Sequence, residues 1–236
     1  MDGRHADRRL PPSGWRLTVL ELLPARSASR PLRVLCLGAH SDDIEIGCAG
    51  TLLRLLEARP ECRLRWVVFS GTEERAREAT QSAECLAGDR LANVDVFGFR
   101  DGYFPDEWAE LKNTFRDLGR EASPDVIFTH RQNDRHQDHR TIAELTWQTF
   151  RNHLILEYEI PKYEGDLGQP NVYVRITPEI ARRKAQHLTE LFGSQKSKSW
   201  FDQDTFLALT RLRAVECPDS SAHAEAFHCD KLMLEL

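Results

Sequence analysis

The chain has 236 residues, of which 41% are hydrophobic and 29% are charged, and its 32 basic and 37 acidic residues give a formal net charge of −5. This composition is typical of a globular protein and excludes a disordered, collagen-like or coiled-coil chain. Because no global positive field is present to attract a polyanion, nucleic acid is not expected to be a partner.

Neither a membrane span nor a secretory leader is expected. No apolar run approaches the roughly 20 residues that cross a bilayer, and the first fifteen residues are polar, with no cleavage site after an apolar core. The six cysteines form no CxxC pair, which fits reduced thiols. We predict a cytoplasmic protein with a flexible tail over 1–14 and a single domain over 15–236.

From residue 33 onward, hydrophobic periodicity predicts strands and helices in strict alternation. Apolar runs predict strands over 34–37, 66–69, 94–97 and 126–128. Apolar residues at helical spacing predict helices over 48–56, 76–86, 108–118 and 142–150. Such alternation is typical of an α/β, Rossmann-like, doubly wound and mostly parallel sheet with helices on both faces.

The pattern changes after residue 153. Apolar runs predict strands over 154–160 and 172–176, and periodicity predicts helices over 178–192 and 204–214. Because no linker separates this region from the rest, we predict that it is a mixed C-terminal extension of the same domain.

Two clusters of histidine and acidic residues each follow a predicted strand. The first spans 38–43, after the first strand, and the second spans 130–139, after the fourth. If the strand order is 3-2-1-4, these strands are neighbours, and their outgoing connections diverge to opposite faces of the sheet. Ligands bind in the crevice that this divergence creates. We therefore expect both clusters to meet in one site.

The clusters contain the donors of a catalytic metal site. His40, Asp43 and His139 together offer two imidazoles and one carboxylate, which leaves a position open for water. A metal-bound water titrates near about pH 7, so hydroxide is available at neutral pH. Asp42, beside Asp43, is suited to take the proton of this water. Ligands of these types accept Zn²⁺, Fe²⁺ and Co²⁺, so the residues alone indicate a divalent transition metal.

The clusters also have four alternative assignments. A non-haem iron oxygenase uses two histidines and a carboxylate, but on an antiparallel barrel and not on alternating strands and helices. Aspartates at the start of a helix often act as N-caps, so the acidic residues of both clusters could have a purely structural role. A dinucleotide site requires GxGxxG after the first strand, but His40 and Asp42 occupy that turn. Residues 134–139 lack the first histidine of HxHxDH, the metal signature of metallo-β-lactamase-like hydrolases.

The two clusters resemble the motifs of the PIG-L/LmbE-like N-deacetylases. Members carry Ala-His-Pro-Asp-Asp and, later, His-x-Asp-His; here residues 39–43 are Ala-His-Ser-Asp-Asp and residues 136–139 are His-Gln-Asp-His. The similarity runs from about residue 33 to the C-terminus and includes 159–162, 193–195 and 224–227.

This resemblance implies a zinc-dependent hydrolase that removes the N-acetyl group from an amino sugar of the GlcNAc type or its conjugate, with zinc-bound water as nucleophile. By motif position, it implies the same three metal ligands and makes Asp42 the general base. It further implies that His136 stabilises the oxyanion or protonates the leaving amine. Asp138 would orient the ring of His136.

Three further residues are candidate substrate contacts. Arg75 opens the helix after the second strand and resembles a substrate-contacting arginine of the family. Asp101 follows the third strand and could bind a sugar hydroxyl, and His130 ends the fourth strand. A solvated helix face for Arg75 and a turn-forming Asp-Gly for Asp101 are the structural alternatives.

Two positions depart from the family pattern. Ser41 replaces the proline, and Ile44 stands where many members carry glutamate. Glu45 is therefore expected to cap the helix or to be solvated, with no catalytic role. Two other functions remain open: a metallohydrolase that cleaves an ester or phosphoester with the same triad, and a metal-free sugar-binding module.

Overall fold

The structure is a computed structural model that describes residues 30–217 and 222–233, so the predicted tail over 1–14 lies outside the described residues. The strands are β1 (Arg33–Gly38), β2 (Arg63–Val68), β3 (Leu91–Val96), β4 (Val126–His130), β5 (Leu154–Tyr158), β6 (Val172–Ile176) and β7 (His223–His228). The α-helices are α1 (Asp43–Ala58), α2 (Glu73–Ala87), α3 (Trp108–Glu121), α4 (Gln137–Thr149), α5 (Pro178–Leu191) and α6 (Gln203–Glu216). No helix in these two ranges is long and apolar enough to cross a membrane.

The strands form a mixed sheet with the order β3-β2-β1-β4-β5-β7-β6. Strands β1 to β5 pair in parallel, whereas β7 runs antiparallel to both β5 and β6. The predicted fold class is confirmed, and so is the assumed adjacency of the first and fourth strands. Strand β7 was not predicted, because its sequence, His-Ala-Glu-Ala-Phe-His, has neither β-branched residues nor an apolar run.

Alternate residues of β1 supply the two faces of the core. Val34 and Cys36 pack with the buried residues of α1 and α5, whereas Leu35 and Leu37 pack with those of α3 and α4. Successive side chains of a strand point to opposite faces. A strand with helices on both faces must therefore be apolar throughout, which explains the unbroken apolar run of β1.

Two glycines let helix α1 approach its neighbours closely. A Cβ added at Gly47 would overlap the ring of Tyr158, and one at Gly50 would lie 2.9 Å from a carboxylate oxygen of Glu225. The hydroxyl of Tyr158 donates to the backbone oxygen of Leu37 over 2.6 Å. Because Leu37 lies at the end of β1, this hydrogen bond couples α1 packing to the turn that follows the strand.

We expect Gly47→Ala to lower the free energy of unfolding. Alanine gains about 1 kcal/mol of helix propensity over glycine, but overpacking a core costs about 1–3 kcal/mol. The added Cβ would lie 2.3 Å from atoms of the fully buried Tyr158 ring, so that ring would have to move. Urea denaturation measures the change. Gly98→Ala is the control, because a Cβ there meets none of the described atoms within 4 Å. Equal stability of the two variants would contradict close packing of α1 on Tyr158.

Candidate metal centre

A cavity of about 200 Å³ opens at the carboxyl ends of the parallel strands. Its lining combines residues of both histidine–acid clusters with Arg75 from the first turn of α2, with residues from the loops after β3 and β5 and with residues from the segment after α5. The lining residues are His40, Asp42, Asp43, Arg75, Asp101, His136, His139, Ile160, Lys162, Tyr163, Glu164, Lys198 and Trp200. Seven of the nine predicted site residues are therefore in the lining, and the other two, His130 and Asp138, are buried outside it.

Three buried side chains converge at this cavity. Nδ1 of His40 lies 3.3 Å from Nε2 of His139 and 3.3 Å from Oδ2 of Asp43, and Nε2 of His139 lies 3.6 Å from Oδ1 of Asp43. With zinc–nitrogen distances of about 2.0–2.1 Å, neighbouring ligand atoms of a tetrahedral site lie roughly 3.3–3.4 Å apart. The three donors therefore match a divalent metal ion in both chemistry and spacing.

The turn after β1 fixes Asp43 through the backbone. The amide of His40 donates to Oδ2 of Asp43 over 2.6 Å, which holds the carboxylate beside the His40 ring. Asp42 occupies the N-cap position of α1, but its side chain makes no capping hydrogen bond within the described chain. At α4 the cap is His136, whose Nδ1 accepts from the Asp138 amide over 3.3 Å. Helix capping therefore does not account for Asp42.

The electrostatics of the three converging side chains favour a cation between them. Burial opposes a charge on His40, but the carboxylates of Asp43, Asp101 and Asp138 outweigh it and raise the pKa of that imidazole well above its ordinary value. Burial raises the pKa of Asp43, yet the surrounding histidines hold it well below the ordinary range. Burial, together with a neighbouring imidazole, lowers the pKa of His139 to about 3. His139 is therefore neutral near pH 7, which is the form that binds metals.

A buried carboxylate orients the third donor. Oδ2 of Asp134 lies 3.1 Å from Nδ1 of His139 and accepts from Lys162 over 2.9 Å, while Oδ1 accepts from the His136 amide over 2.8 Å. Metal-binding histidines are commonly held in this way by a carboxylate on the second ring nitrogen. From the sequence, Asp134 was expected only as a helix cap. Asp134 lies in the loop before α4, so no local pattern in the sequence indicated this contact.

Asp138 contacts a different histidine from the one expected. Its carboxylate accepts from the amides of Gly102, over 2.6 Å, and Phe104, over 3.1 Å, and lies 3.3 Å from Nε2 of His40. Asp138 therefore orients His40 rather than His136, contrary to the sequence-based expectation. The reason is that the loop after β3 passes beside α4, so the Asp138 side chain turns toward that loop.

Asp42 and His136 complete the polar side of the cavity. Burial and the charge of Asp43 raise the pKa of Asp42 to about 6, although the nearby Lys198 ammonium partly opposes this shift. Burial and a neighbouring histidine lower the pKa of His136. Because Nδ1 of His136 accepts the Asp138 amide, its neutral ring carries the proton on Nε2. The cavity thus contains a proton acceptor and a neutral N–H donor.

The three predicted substrate contacts lie in different places. Oδ1 of Asp101 lies 3.1 Å from Nε2 of His40, and Oδ2 of Asp101 accepts a hydrogen bond from Arg75 over 2.9 Å. Arg75 and Asp101 both line the cavity. His130 is fully buried, with Nε2 3.1 Å from Asp43, and has no position in the lining. Nε2 of His130 accepts from the Ala39 amide over 2.9 Å, so in this structure His130 lies behind Asp43 and away from the cavity surface, and its contact with a substrate stays a prediction.

Glu45 is neither a helix cap nor solvated. It is fully buried, it accepts a hydrogen bond from the hydroxyl of Ser82, and that hydroxyl lies 2.7 Å from Nε2 of His187. Burial raises the pKa of Glu45 well above its ordinary value. The three side chains join α1, α2 and α5 outside the cavity lining, so the contact is structural.

Residues 35–150 match the PIG-L family, whose description is GlcNAc-PI de-N-acetylase. The matched segment includes β1 through α4 and therefore both histidine–acid clusters. A curated relative, the uncharacterized deacetylase YaiS of Escherichia coli (strain K12), is 29% identical over 156 residues, which cover 61% of this chain and 82% of the relative.

Solved structures share the fold at lower identity. The N,N′-diacetylchitobiose deacetylase from Pyrococcus horikoshii has a TM-score of 0.60 and 18% identity, covering 84% of this chain and 83% of its own. GalB, the 4-carboxy-2-hydroxymuconate hydratase from Pseudomonas putida KT2440, has a TM-score of 0.65 and 15% identity, covering 87% of this chain and 98% of its own. At these identities the likeness shows the fold, which serves more than one reaction. With the matched segment and the curated relative, it confirms the resemblance seen in the sequence: residues 35–150 are similar to the PIG-L family.

Proposed function

We propose that the protein is a metal-dependent N-deacetylase that removes acetate from an N-acetylated amino sugar of the GlcNAc type or from its conjugate. The observation that carries this proposal is the convergence of His40, Asp43 and His139 at one end of a cavity that Asp42 and His136 also line. The family description and the substrate named for the chitobiose deacetylase support an acetamido sugar as the substrate.

His40, Asp43 and His139 are the proposed metal ligands, and zinc is the proposed ion, with Fe²⁺ or Co²⁺ as alternatives. When bound, such an ion polarises the acetyl carbonyl and lowers the pKa of a water molecule to about 7. Asp134 holds the His139 ring through Nδ1, and Asp138 holds the His40 ring through Nε2. In each ring one nitrogen therefore contacts a carboxylate, and the other nitrogen, Nδ1 of His40 or Nε2 of His139, points toward the proposed metal position.

Asp42 and His136 carry the proton chemistry in this proposal. Asp42 takes the proton of the attacking water as the amide carbon becomes tetrahedral. Nε2–H of His136 donates a hydrogen bond to the oxygen on which negative charge develops, which stabilises that charge. The amide nitrogen must be protonated before it leaves, and the Asp42 carboxyl, which then carries the proton taken from the water, would supply it.

Arg75 and Asp101 are proposed to contact the sugar. Both line the cavity, and the ion pair between them leaves part of each side chain open to it, since the Asp101 side chain is 50% exposed. A guanidinium donor beside a carboxylate acceptor suits adjacent hydroxyl groups, which both donate and accept hydrogen bonds.

A substrate screen tests the reaction class. Metal-replete protein incubated with N-acetylated sugars, acetyl esters and phosphomonoesters should release acetate and an equal amount of free amine from the sugars. Amine and acetate are read by derivatisation, and phosphate by a colorimetric assay. Release of phosphate without amine would instead favour the phosphoester hydrolase. Sugar binding without product or bound metal would favour the binding module.

Asp42→Asn should abolish turnover without removing the metal. The amide cannot accept the water proton, and loss of a general base typically costs about 10²- to 10⁴-fold in rate. We expect kcat to fall by that factor while metal content per chain, measured by inductively coupled plasma mass spectrometry, stays the same. Asp43→Asn is the matched comparison, because it changes a proposed ligand and should lower the metal content. Full activity of Asp42→Asn would remove the assigned base.

Asp134→Asn should weaken metal binding. Loss of a carboxylate that orients a ligand histidine typically costs about 10- to 100-fold in metal affinity. Competition with a chromophoric chelator measures the zinc Kd. Asp166→Asn is the control, since Asp166 accepts from the same Lys162 ammonium, over 2.6 Å, but no contact between Asp166 and His139 is present in the described chain. Equal zinc Kd values for the two variants would contradict the role of Asp134.

A further inference from the structure

A buried lysine shares a carboxylate oxygen with one of the proposed metal ligands. Nζ of Lys162, in the loop after β5, donates to Oδ2 of Asp134 over 2.9 Å, and the same Oδ2 lies 3.1 Å from Nδ1 of His139. The side chains of Lys162, Asp134 and His139 are only 7%, 4% and 3% exposed. The ammonium and the imidazole therefore compete for one acceptor in a place where little water screens the charges.

The ring of His139 is the hydrogen-bond donor to that oxygen. A neutral imidazole carries one proton, and Nε2 of His139 faces the proposed metal position, 3.3 Å from Nδ1 of His40. The proton of the neutral ring is therefore on Nδ1 and points to Oδ2 of Asp134. A carboxylate in this position raises the basicity of the ring, so it strengthens the bond from Nε2 to a metal ion. The size of this effect depends on what else the oxygen accepts.

Asp134 is held in place by contacts other than the one with Lys162. Its Oδ1 accepts from the His136 amide over 2.8 Å, and its own amide donates to the backbone oxygen of Arg131 over 3.1 Å. The lysine is therefore not needed to keep the carboxylate beside His139. What it contributes is a positive charge and a second hydrogen bond on the shared oxygen.

A second carboxylate fixes the position of the ammonium. Oδ1 of Asp166 accepts from Nζ of Lys162 over 2.6 Å, and Oδ2 of Asp166 accepts from the Arg135 amide over 2.6 Å. The Asp166 side chain is as little exposed as that of Lys162. Because two carboxylates surround the ammonium, it keeps its charge although it is buried. Lys162 is thus a fixed cation on the oxygen that holds His139.

We propose that Lys162 is a positioning residue that acts through Asp134 and weakens the hold of His139 on the metal ion. Its hydrogen bond to Oδ2 reduces the strength with which this oxygen accepts from the Nδ1–H group, and its charge repels a cation at the ligand site. Both effects lower metal affinity and leave a bound ion more electron-poor, which suits polarisation of a carbonyl group. This inference rests on the proposed function, because it takes His139 as a metal ligand.

Lys162→Met keeps most of the side-chain length and removes the charge. We expect its zinc Kd, measured by competition with a chromophoric chelator, to fall about threefold to tenfold below that of the wild-type protein. A lysine with only a structural role predicts the reverse, because its loss would loosen the ligands and raise the Kd. An unchanged or higher zinc Kd in a folded variant would overturn the inference.

A second variant guards against failure to fold. Lys162→Met leaves Asp166 as a buried charge without its cation, which is strongly destabilising. Combining Lys162→Met with Asp166→Asn removes both charges of the pair, and circular dichroism checks that this double variant is folded. Its zinc Kd should also lie below the wild-type value, whereas Asp166→Asn alone keeps the ammonium and should not lower the Kd. A double variant with a Kd at or above the wild-type value would contradict the proposal.

Lys198→Met is the matched control for the loss of a positive charge at the cavity. Lys198 also lines the cavity, but its ammonium lies 5.4 Å from the Trp200 ring centroid and forms no salt bridge within residues 30–217 and 222–233. Its removal should change the zinc Kd by less than about twofold, because water in the cavity screens an exposed charge. An equal fall of the Kd in Lys198→Met and Lys162→Met would show a general charge effect and would overturn an action through Asp134.

The hydrogen bond itself can be observed by NMR without any turnover. In isotope-labelled, zinc-loaded protein, the Nδ1–H proton of His139 should move downfield in Lys162→Met, because a stronger hydrogen bond to a carboxylate deshields the proton. A resonance that stays at its wild-type position in the folded variant would contradict sharing of the oxygen. If the wild-type protein binds zinc but releases no acetate from N-acetylated sugars, the proposed reaction fails, while the Kd and NMR comparisons still decide this inference.

Discussion

The site depends on three metal-seeking atoms that are held together out of water. Nδ1 of His40 lies 3.3 Å from Nε2 of His139 and 3.3 Å from Oδ2 of Asp43, and Nε2 of His139 lies 3.6 Å from Oδ1 of Asp43, all in a buried position. Such an arrangement is costly unless a cation lies between the donors, because buried charges and lone pairs need partners. The parallel pairing of β1 with β4 produces it, since the turns after these two strands emerge side by side.

The surrounding structure holds each donor from a second side. The His40 amide fixes Asp43, while Asp134 fixes the outer nitrogen of His139 and Asp138 that of His40. Because these contacts already hold the ligands in position, the site favours an ion whose preferred coordination geometry matches theirs. The close packing of α1 on Tyr158 extends the support to the end of β1. The donors are thus rigid.

The sequence was sufficient to predict the parallel sheet, because apolar runs and helical periods alternate strictly. The meeting of the two clusters also needed an assumed strand order, 3-2-1-4, in which β1 next to β4 brings residues 40–43 near residue 139; the structure confirms that order. The roles of Asp134 and Asp138 were not predictable, because they depend on which way each side chain turns from α4 and its preceding loop. Strand β7 lacks a local signal, since it forms only by pairing with β5 and β6.

X-ray absorption spectroscopy of the zinc-loaded protein tests the central claim most directly, because it distinguishes sulfur ligands from nitrogen and oxygen and detects imidazole by the scattering of its outer ring atoms. We expect one zinc per chain, bound by two imidazole nitrogens and by oxygen atoms, with His139→Ala reducing the imidazole contribution to one. A spectrum with sulfur ligands, or one that His139→Ala leaves unchanged, would contradict a shared ion between the turns after β1 and β4.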